Sequence, residues 1–168
     1  MSERIGSFEE FWPHYLREHR DPRSRRLHFV GTTGWLASHL ASTALNPLTF
    51  PLSMVGFGLL LKRGLAKEPE KRPLFEVAMM LALPTLAAPL TFPAGVAFAY
   101  GCAWTGHFGL EGNRPATFEY PLWSLVSDWK LWAEMARGRL WDGDPLEALG
   151  LADEGDDHTE PPGATVLH

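Results

Sequence analysis

The sequence predicts an all-α protein with four short transmembrane helices, arranged as two hairpins, and an amphipathic helix at each end. Two observations lead to this fold class. The chain has 168 residues, and its 15 basic and 20 acidic side chains all lie outside two long blocks, residues 27–61 and 77–110. Each block exceeds the roughly 20 apolar residues that one membrane-spanning helix needs, and turn residues near its middle divide it into two.

The segment before the first block predicts an amphipathic helix. Ser7 and Glu10 have the spacing of a capping box, in which each side chain accepts a hydrogen bond from the other residue's backbone. Pro13 predicts a kink or an early end, because proline lacks the N–H that a helix interior needs. Large side chains then follow at helical spacing on one face: Phe8, Phe11, Trp12, Tyr15, Leu16 and His19.

Prolines near the middle of each block predict where its helices end. Asn46 and Pro47 interrupt the first block, and Pro89 and Pro93 interrupt the second. Proline disfavours helical geometry in the residue before it, so these positions mark helix boundaries. We therefore expect one hairpin over about 27–61, with helices 27–45 and 48–61, and another over about 74–111, with helices 74–89 and 94–111.

A further amphipathic helix is expected to begin at Pro121, because proline is favoured in the first turn of a helix. Its apolar stripe is formed by Leu122, Leu125, Val126, Trp129, Trp132, Ala133 and Ala136. From Asp142 the chain becomes acidic and rich in Gly and Pro, which is typical of disorder. The expected organisation is one helical membrane domain over 1–141 and an acidic disordered tail over 142–168.

The basic residues flank the two blocks and are absent from the predicted hairpin tips. Positively charged flanks stay in the cytoplasm, so the pattern predicts an integral membrane protein in a lipid bilayer with both termini cytoplasmic. The alternative is a soluble helical bundle with two buried hairpins, because Gly, Pro, Ser and Thr dilute both blocks. The net charge of −5 argues against a nucleic-acid partner, and the sequence does not predict an oligomeric state.

Four side chains are expected to meet at the cytoplasmic interface. His19 lies on the apolar stripe of the first helix, His28 begins the first block, and His107 ends the second. Glu111 follows His107 by four residues, which places both on one helix face. Imidazole and carboxylate groups suit iron or zinc, so His19, His28, His107 and Glu111 are candidate metal ligands. Histidines that only satisfy hydrogen bonds are the alternative.

Two stretches of sequence resemble a known family. Residues 15–31 read YLREHRDPRSRRLHFVG, and residues 104–125 read WTGHFGLEGNRPATFEYPLWSL. Together they resemble the 2-hydroxy fatty acid dioxygenase family, small membrane proteins with a eukaryotic member in the endoplasmic reticulum. The first motif is matched by His19, Pro22 and His28. The second and more specific motif is matched by Gly106, His107, Glu111, Pro115 and Ala116.

The resemblance implies an iron(II)-dependent α-oxidation, with Fe(2+) as the cofactor and a long-chain 2-hydroxy fatty acid and O2 as the substrates. The product is the fatty acid one carbon shorter. Glu111 and Arg114 are then the candidate catalytic residues, with Arg114 as a bidentate partner for the substrate carboxylate. Arg26 and Asn113 complete the candidate substrate-binding set, and Asn113 is also a candidate for orienting a metal ligand.

Two other functions use the same residues. One is a zinc-dependent lipid hydrolase built on the same ligands. The other is a non-catalytic membrane scaffold, in which the histidines serve helix packing. Metal content and oxygen consumption distinguish the dioxygenase from both.

Overall fold

A computed structural model describes residues 4–151, and within that range the chain is all α-helical, with no strand. This confirms the predicted class. A π-helical turn, His107–Glu111, and a short 3-10 turn, Ala116–Phe118, follow the fifth helix. The seven α-helices of the described range are α1 (Phe8–Arg17), α2 (Pro22–Leu45), α3 (Thr49–Leu65), α4 (Leu74–Ala87), α5 (Thr91–Gly106), α6 (Pro121–Ala136) and α7 (Pro145–Ala148).

The prediction of four transmembrane helices is not supported. Among the described residues, no helix is both long enough and apolar enough to cross a membrane. Helices α3, α4 and α5 have 17, 14 and 16 residues. Helix α2 has 24 residues, but it begins at Pro22 rather than near Leu27 and so includes three arginines in its first turns.

The first two helices begin at side-chain caps. Ser7 Oγ accepts the Glu10 backbone N–H at 3.2 Å, and Glu10 Oε2 accepts the Gly6 N–H at 3.3 Å. Helix α1 continues through Pro13 to Arg17, so the expected early end at the proline is not observed. The Asp21 carboxylate accepts the Arg23 N–H at 2.8 Å and starts α2.

The helices of each predicted hairpin are not the ones that pack most closely. Helix α2 packs along α5, and α3 packs along α4, whereas α2 with α3 and α4 with α5 make few contacts. Small residues explain the α2–α5 pairing, because they let the two backbones approach. A Cβ on Gly31 would lie 3.0 Å from the Cys102 Cβ, and one on Gly95 would lie 2.0 Å from the Ser38 Oγ.

Helices α2, α3, α4 and α5 form a four-helix bundle. Helices α1 and α6 cover one end of it with an aromatic core. Phe11, Tyr15 and Trp123 are buried there. Glu68, in the α3–α4 connection, is fully buried and accepts the backbone N–H groups of Leu122 and Trp123, both at 2.9 Å. These bonds satisfy two of the unpaired donors at the start of α6 and fix it over the bundle. Burial raises the Glu68 pKa to about 7.

The start of the predicted tail is folded. Asp144 caps α7 by accepting the Leu146 N–H at 2.8 Å, and the Leu146 side chain is buried in the aromatic core. Asp142 pairs with Arg26 at 2.7 Å. Residues 142–151 therefore pack on the helical domain, and the remainder of the predicted tail, 152–168, lies outside the described residues.

Candidate metal centre

Three histidines that are distant in sequence meet between α1, α2 and the end of α5. His19 follows α1, His28 lies in the second turn of α2, and His107 begins the π-helical turn. All three are buried, with exposed fractions of 0%, 4% and 3%. One ring nitrogen from each lies within 4.8 Å of the others.

Each ring has its Nδ1 held by an oxygen acceptor. His19 Nδ1 lies 2.6 Å from the Tyr15 carbonyl, His28 Nδ1 lies 2.7 Å from Asp128 Oδ1, and His107 Nδ1 lies 2.7 Å from Asn113 Oδ1. A carbonyl or carboxylate oxygen only accepts, so Nδ1 is the protonated nitrogen in all three rings. The lone pair of each neutral ring is therefore on Nε2.

These Nε2 atoms fit a metal ion. Within residues 4–151, the Nε2 atoms of His19 and His28 are buried and have no hydrogen-bond partner. A buried polar atom without a partner is costly, and coordination by a metal removes that cost. Metal-bound histidines typically donate the other ring nitrogen to an oxygen, as these three do.

Burial keeps two of the rings in the neutral form that a metal requires. It lowers the pKa of His19 well below the usual range, and the nearby rings of His28 and His107 lower it further. Burial also lowers the pKa of His107. Lone pairs for coordination are thus present at neutral pH.

Asp128 on α6 joins the centre to α1. Its Oδ1 accepts from His28 Nδ1 and from the Tyr15 hydroxyl, and the Tyr15 ring stacks on the His19 ring at 4.0 Å between centroids. Burial raises the pKa of Tyr15 well above its usual value, so the hydroxyl stays a donor. Sequence reasoning missed Asp128, although an acid between apolar stripe residues Leu125 and Trp129 was a usable signal.

A buried arginine fixes the segment that presents His19. The Arg25 side chain is fully buried. Its Nη1 donates to the carbonyls of His19 and Arg20 at 2.9 and 2.7 Å, and its Nε donates to Leu140 at 2.8 Å. Arg25 therefore clamps the turn between α1 and α2, a role that its place in the basic run RSRR did not reveal.

The local sequence around His107 explains its position. Gly106 lets α5 approach α2, because a Cβ there would lie 2.7 Å from Ser24 Oγ. Gly112 has φ of 66°, a left-handed conformation that favours glycine, and it ends the π-helical turn. The turn returns the chain so that Asn113 reaches His107, and Asn113 Nδ2 also donates to the Glu18 carbonyl at 2.8 Å.

Glu111 lies outside the cluster of three histidines. Its Oε1 accepts the Asp21 backbone N–H at 3.0 Å, at the start of α2. Burial raises the pKa of its carboxyl. The structure thus places the expected fourth ligand as a link between the π-helical turn and α2.

The predicted substrate-binding residues are dispersed. Asn113 contacts His107, as described. Arg26 pairs with Asp142 on the exterior, and the exposed Arg114 lies over the Phe118 ring, 5.0 Å from its centroid. Neither arginine lines the cavity at the histidines. Another histidine, His39, lies apart from the centre and donates from Nδ1 to the Trp35 carbonyl at 2.8 Å.

A cavity begins at the histidines and extends between the two helix pairs. Its polar end is lined by Tyr15, His19, His28, His107 and Asp128. Away from these groups it is lined by mostly apolar side chains, among them Trp35, Phe57, Met80, Phe92 and Val96. The lining residues Leu81, Tyr100 and Trp104 are 40–44% exposed, so the cavity opens to the exterior between α4 and α5.

Comparison with known proteins agrees with the motifs. No curated protein and no solved structure matches the chain. The sequence pattern of one family matches residues 5–140, which include the three histidines and most of the described fold. The chain therefore belongs to the Mpo1-like family, described as 2-hydroxy-palmitic acid dioxygenase Mpo1-like.

Proposed function

We propose that the protein is an iron(II)-dependent dioxygenase that converts a long-chain 2-hydroxy fatty acid to the fatty acid one carbon shorter. The observation that carries the proposal is the cluster of three buried histidines at the polar end of an apolar cavity. Family membership supports the dioxygenase class and the substrate type.

The reaction balances without a further reductant. One 2-hydroxy acid and one O2 give one shortened carboxylic acid, one CO2 and one water. The bond between the carboxyl carbon and the hydroxyl-bearing carbon breaks, and the latter becomes the new carboxyl. These two carbons lose four electrons, which reduce O2 completely.

His19, His28 and His107 would hold the iron through Nε2. An iron held by these three nitrogen ligands would keep open positions for oxygen-containing substrates, and ferrous iron would supply the O2 chemistry when bound. Asp128, Asn113 and the Tyr15 carbonyl hold the three rings in the tautomer and orientation that coordination needs.

The rest of the cavity suits a hydrocarbon tail. Below the histidines its lining is mostly aliphatic and aromatic, as in other pockets for apolar ligands. A carboxylate head would lie at the metal while the tail extends between the helix pairs. Because the tail is uncharged, its burial there is favourable by about 0.8 kcal/mol per methylene.

We further propose that a lipid bilayer is the source of the substrate. Large apolar side chains are exposed along α2–α5, including Leu48 and Leu90 at the interhelical turns with exposed fractions of 83% and 82%. Surfaces of this kind mark contacts with protein or membrane. The opening at Leu81 and Tyr100 lies on this surface. Integral insertion and cytoplasmic termini stay predictions.

The direct test is product analysis. Iron-loaded protein is incubated under air with 2-hydroxyhexadecanoic acid, and the products are identified by mass spectrometry. We expect pentadecanoic acid and CO2. Ester hydrolysis by zinc-loaded protein, without any shortened acid from the iron form, would support the zinc-dependent lipid hydrolase instead.

A further inference from the structure

The apolar cavity has a closed end far from the histidines. Phe92, at the start of α5, lines it and is only 1% exposed. Behind Phe92 lie Phe50 and Ala88, which form a buried cluster with it. The His39 ring adds to this layer, with its centroid 5.6 Å from that of Phe92 and 5.4 Å from that of Phe50. The end is therefore sealed by packed rings.

Val96 lies one turn before Phe92 on the path from the histidines. It lines the cavity and packs against the Phe50–Ala88–Phe92 cluster. The next residue, Ala97, is exposed and does not line the cavity. A substitution at Val96 therefore changes the cavity, whereas a substitution at Ala97 changes only the exterior of the same helix.

We propose that Val96 and Phe92 determine the length of the acyl chain that the cavity accepts. This inference rests on the proposed function, because it takes the substrate head to lie at the histidines. A chain that reaches the sealed end has no further volume to occupy. Longer chains must then leave carbons outside or displace packed rings, and close-packed interiors resist such displacement.

The distance between the two ends sets the expected length. Helix α5 rises about 1.5 Å per residue, so His107 and Phe92 are separated by about 22 Å along its axis. An extended hydrocarbon advances about 1.25 Å per carbon, given C–C bonds of about 1.5 Å, so about 18 carbons fill this depth. The cavity thus favours long tails over short ones.

The narrowing variant is Val96→Phe, with Ala97→Phe as the matched control. Metal-loaded protein is titrated anaerobically with saturated 2-hydroxy acids of about ten to about twenty-two carbons, a range that brackets the expected depth, and turnover of each is measured separately under air. One helical turn is about 5.4 Å, so Val96→Phe should shift the preferred length down by about four carbons. Affinity for the longest acids should fall at least about tenfold, since each lost methylene contact weakens binding.

The widening variant is Phe92→Leu, which removes the ring but keeps an apolar side chain. We expect the preferred length to increase by about two carbons, because the space of the ring becomes available to the tail. If Val96→Phe does not fold or does not bind metal, the proposal is tested with Phe92→Leu instead. Ala97→Phe should keep the wild-type profile within about twofold, as is usual for an exposed position.

The two proposals fail in different ways. If binding shows a length preference that Val96→Phe shortens, while no shortened product forms under air, the chain-length proposal holds and the α-oxidation is wrong. If the shortened product forms but Val96→Phe and Ala97→Phe have the same length profile, the chain-length proposal is overturned and the reaction stands. An unshifted profile in Phe92→Leu also overturns it.

Discussion

The two ends of the α2–α5 bundle are built from different kinds of contact. At the histidine end, buried charged and polar groups are held by hydrogen bonds: Arg25 on backbone carbonyls, Glu68 on two backbone N–H groups, and His28 on Asp128. At the turn end, Phe50, Ala88 and Phe92 form a small apolar cluster, and the surrounding leucines are exposed. The same helices therefore carry both a polar and an apolar end.

The difference shows what each end contributes. Hydrogen bonds are directional, so the polar end can fix atoms to within the tolerance that a metal centre needs. Apolar packing is not directional, and it provides volume and an apolar surface instead. Substitutions at the histidine end should change metal binding more than the free energy of unfolding. Substitutions at the turn end should do the reverse.

The largest effect is expected from removal of a metal ligand. His28→Ala or His107→Ala should abolish metal binding while the helical fold is retained, because two remaining imidazoles bind a metal far more weakly than three. Metal analysis after dialysis and far-UV circular dichroism measure the two properties. His14→Ala, which lies outside the cluster, is the control and should keep its metal; retained metal in both ligand variants would contradict the site.

At the turn end, Phe50→Ala should destabilise the protein by about 3–5 kcal/mol, because it opens a cavity in the buried cluster. The metal stoichiometry of the folded protein should be unchanged. Chemical denaturation and metal analysis test both statements. Leu52→Ala, at an exposed position on the same helix, should change stability by less than about 0.5 kcal/mol. Loss of metal in folded Phe50→Ala would show that the two ends are not separable.

Asp128→Asn tests whether hydrogen bonds at the histidine end act on the metal. The neutral amide oxygen is a weaker acceptor for His28 Nδ1 and the Tyr15 hydroxyl than the carboxylate Oδ1 is, so metal affinity should fall about 10–100-fold with the fold retained. The measurement is competition for iron against a chelator, with the ligand-field spectrum as a second readout. Asp142→Asn, which alters an exposed pair, should have no effect. If Asp128→Asn keeps the wild-type metal affinity and spectrum, Asp128 contributes to packing and does not act on the metal.

The smallest effect is expected for Glu111→Gln. Its carboxylate accepts a backbone N–H at the start of α2, and the variant keeps one acceptor oxygen for that bond. Stability should fall by less than about 1 kcal/mol, below the usual cost of losing a helix cap, because the bond is kept, and metal affinity should change by less than about tenfold. A loss of metal as large as that in His107→Ala would instead make Glu111 a ligand.

Local sequence predicted the helices better than their partners. Proline and asparagine located the turn at Asn46 and the start of α6 at Pro121, because their effects on the backbone are local. The pairing of α2 with α5 depends on Gly31 and Gly95, which align only in three dimensions. In the sequence these glycines only lowered the apolar content of the two charge-free blocks.

The candidate centre was also predictable only where its signals are local in the sequence. His19, His28 and His107 stood out because they lie on an apolar stripe or at block edges, and the structure brings them together. Glu111 was placed with His107 by α-helical spacing, but the chain there forms a π-helical turn. Asp128 was missed because its partner His28 is distant in sequence, and no local pattern relates the two.

In the proposed function, the three histidines hold an iron that reacts with O2 and a 2-hydroxy fatty acid. The most direct measurement is metal analysis of protein purified without oxygen, followed by oxygen uptake on addition of 2-hydroxyhexadecanoic acid. We expect about one iron per chain and oxygen consumption that depends on the acid. Stoichiometric zinc, with no oxygen uptake after the metal is replaced by iron, would contradict it.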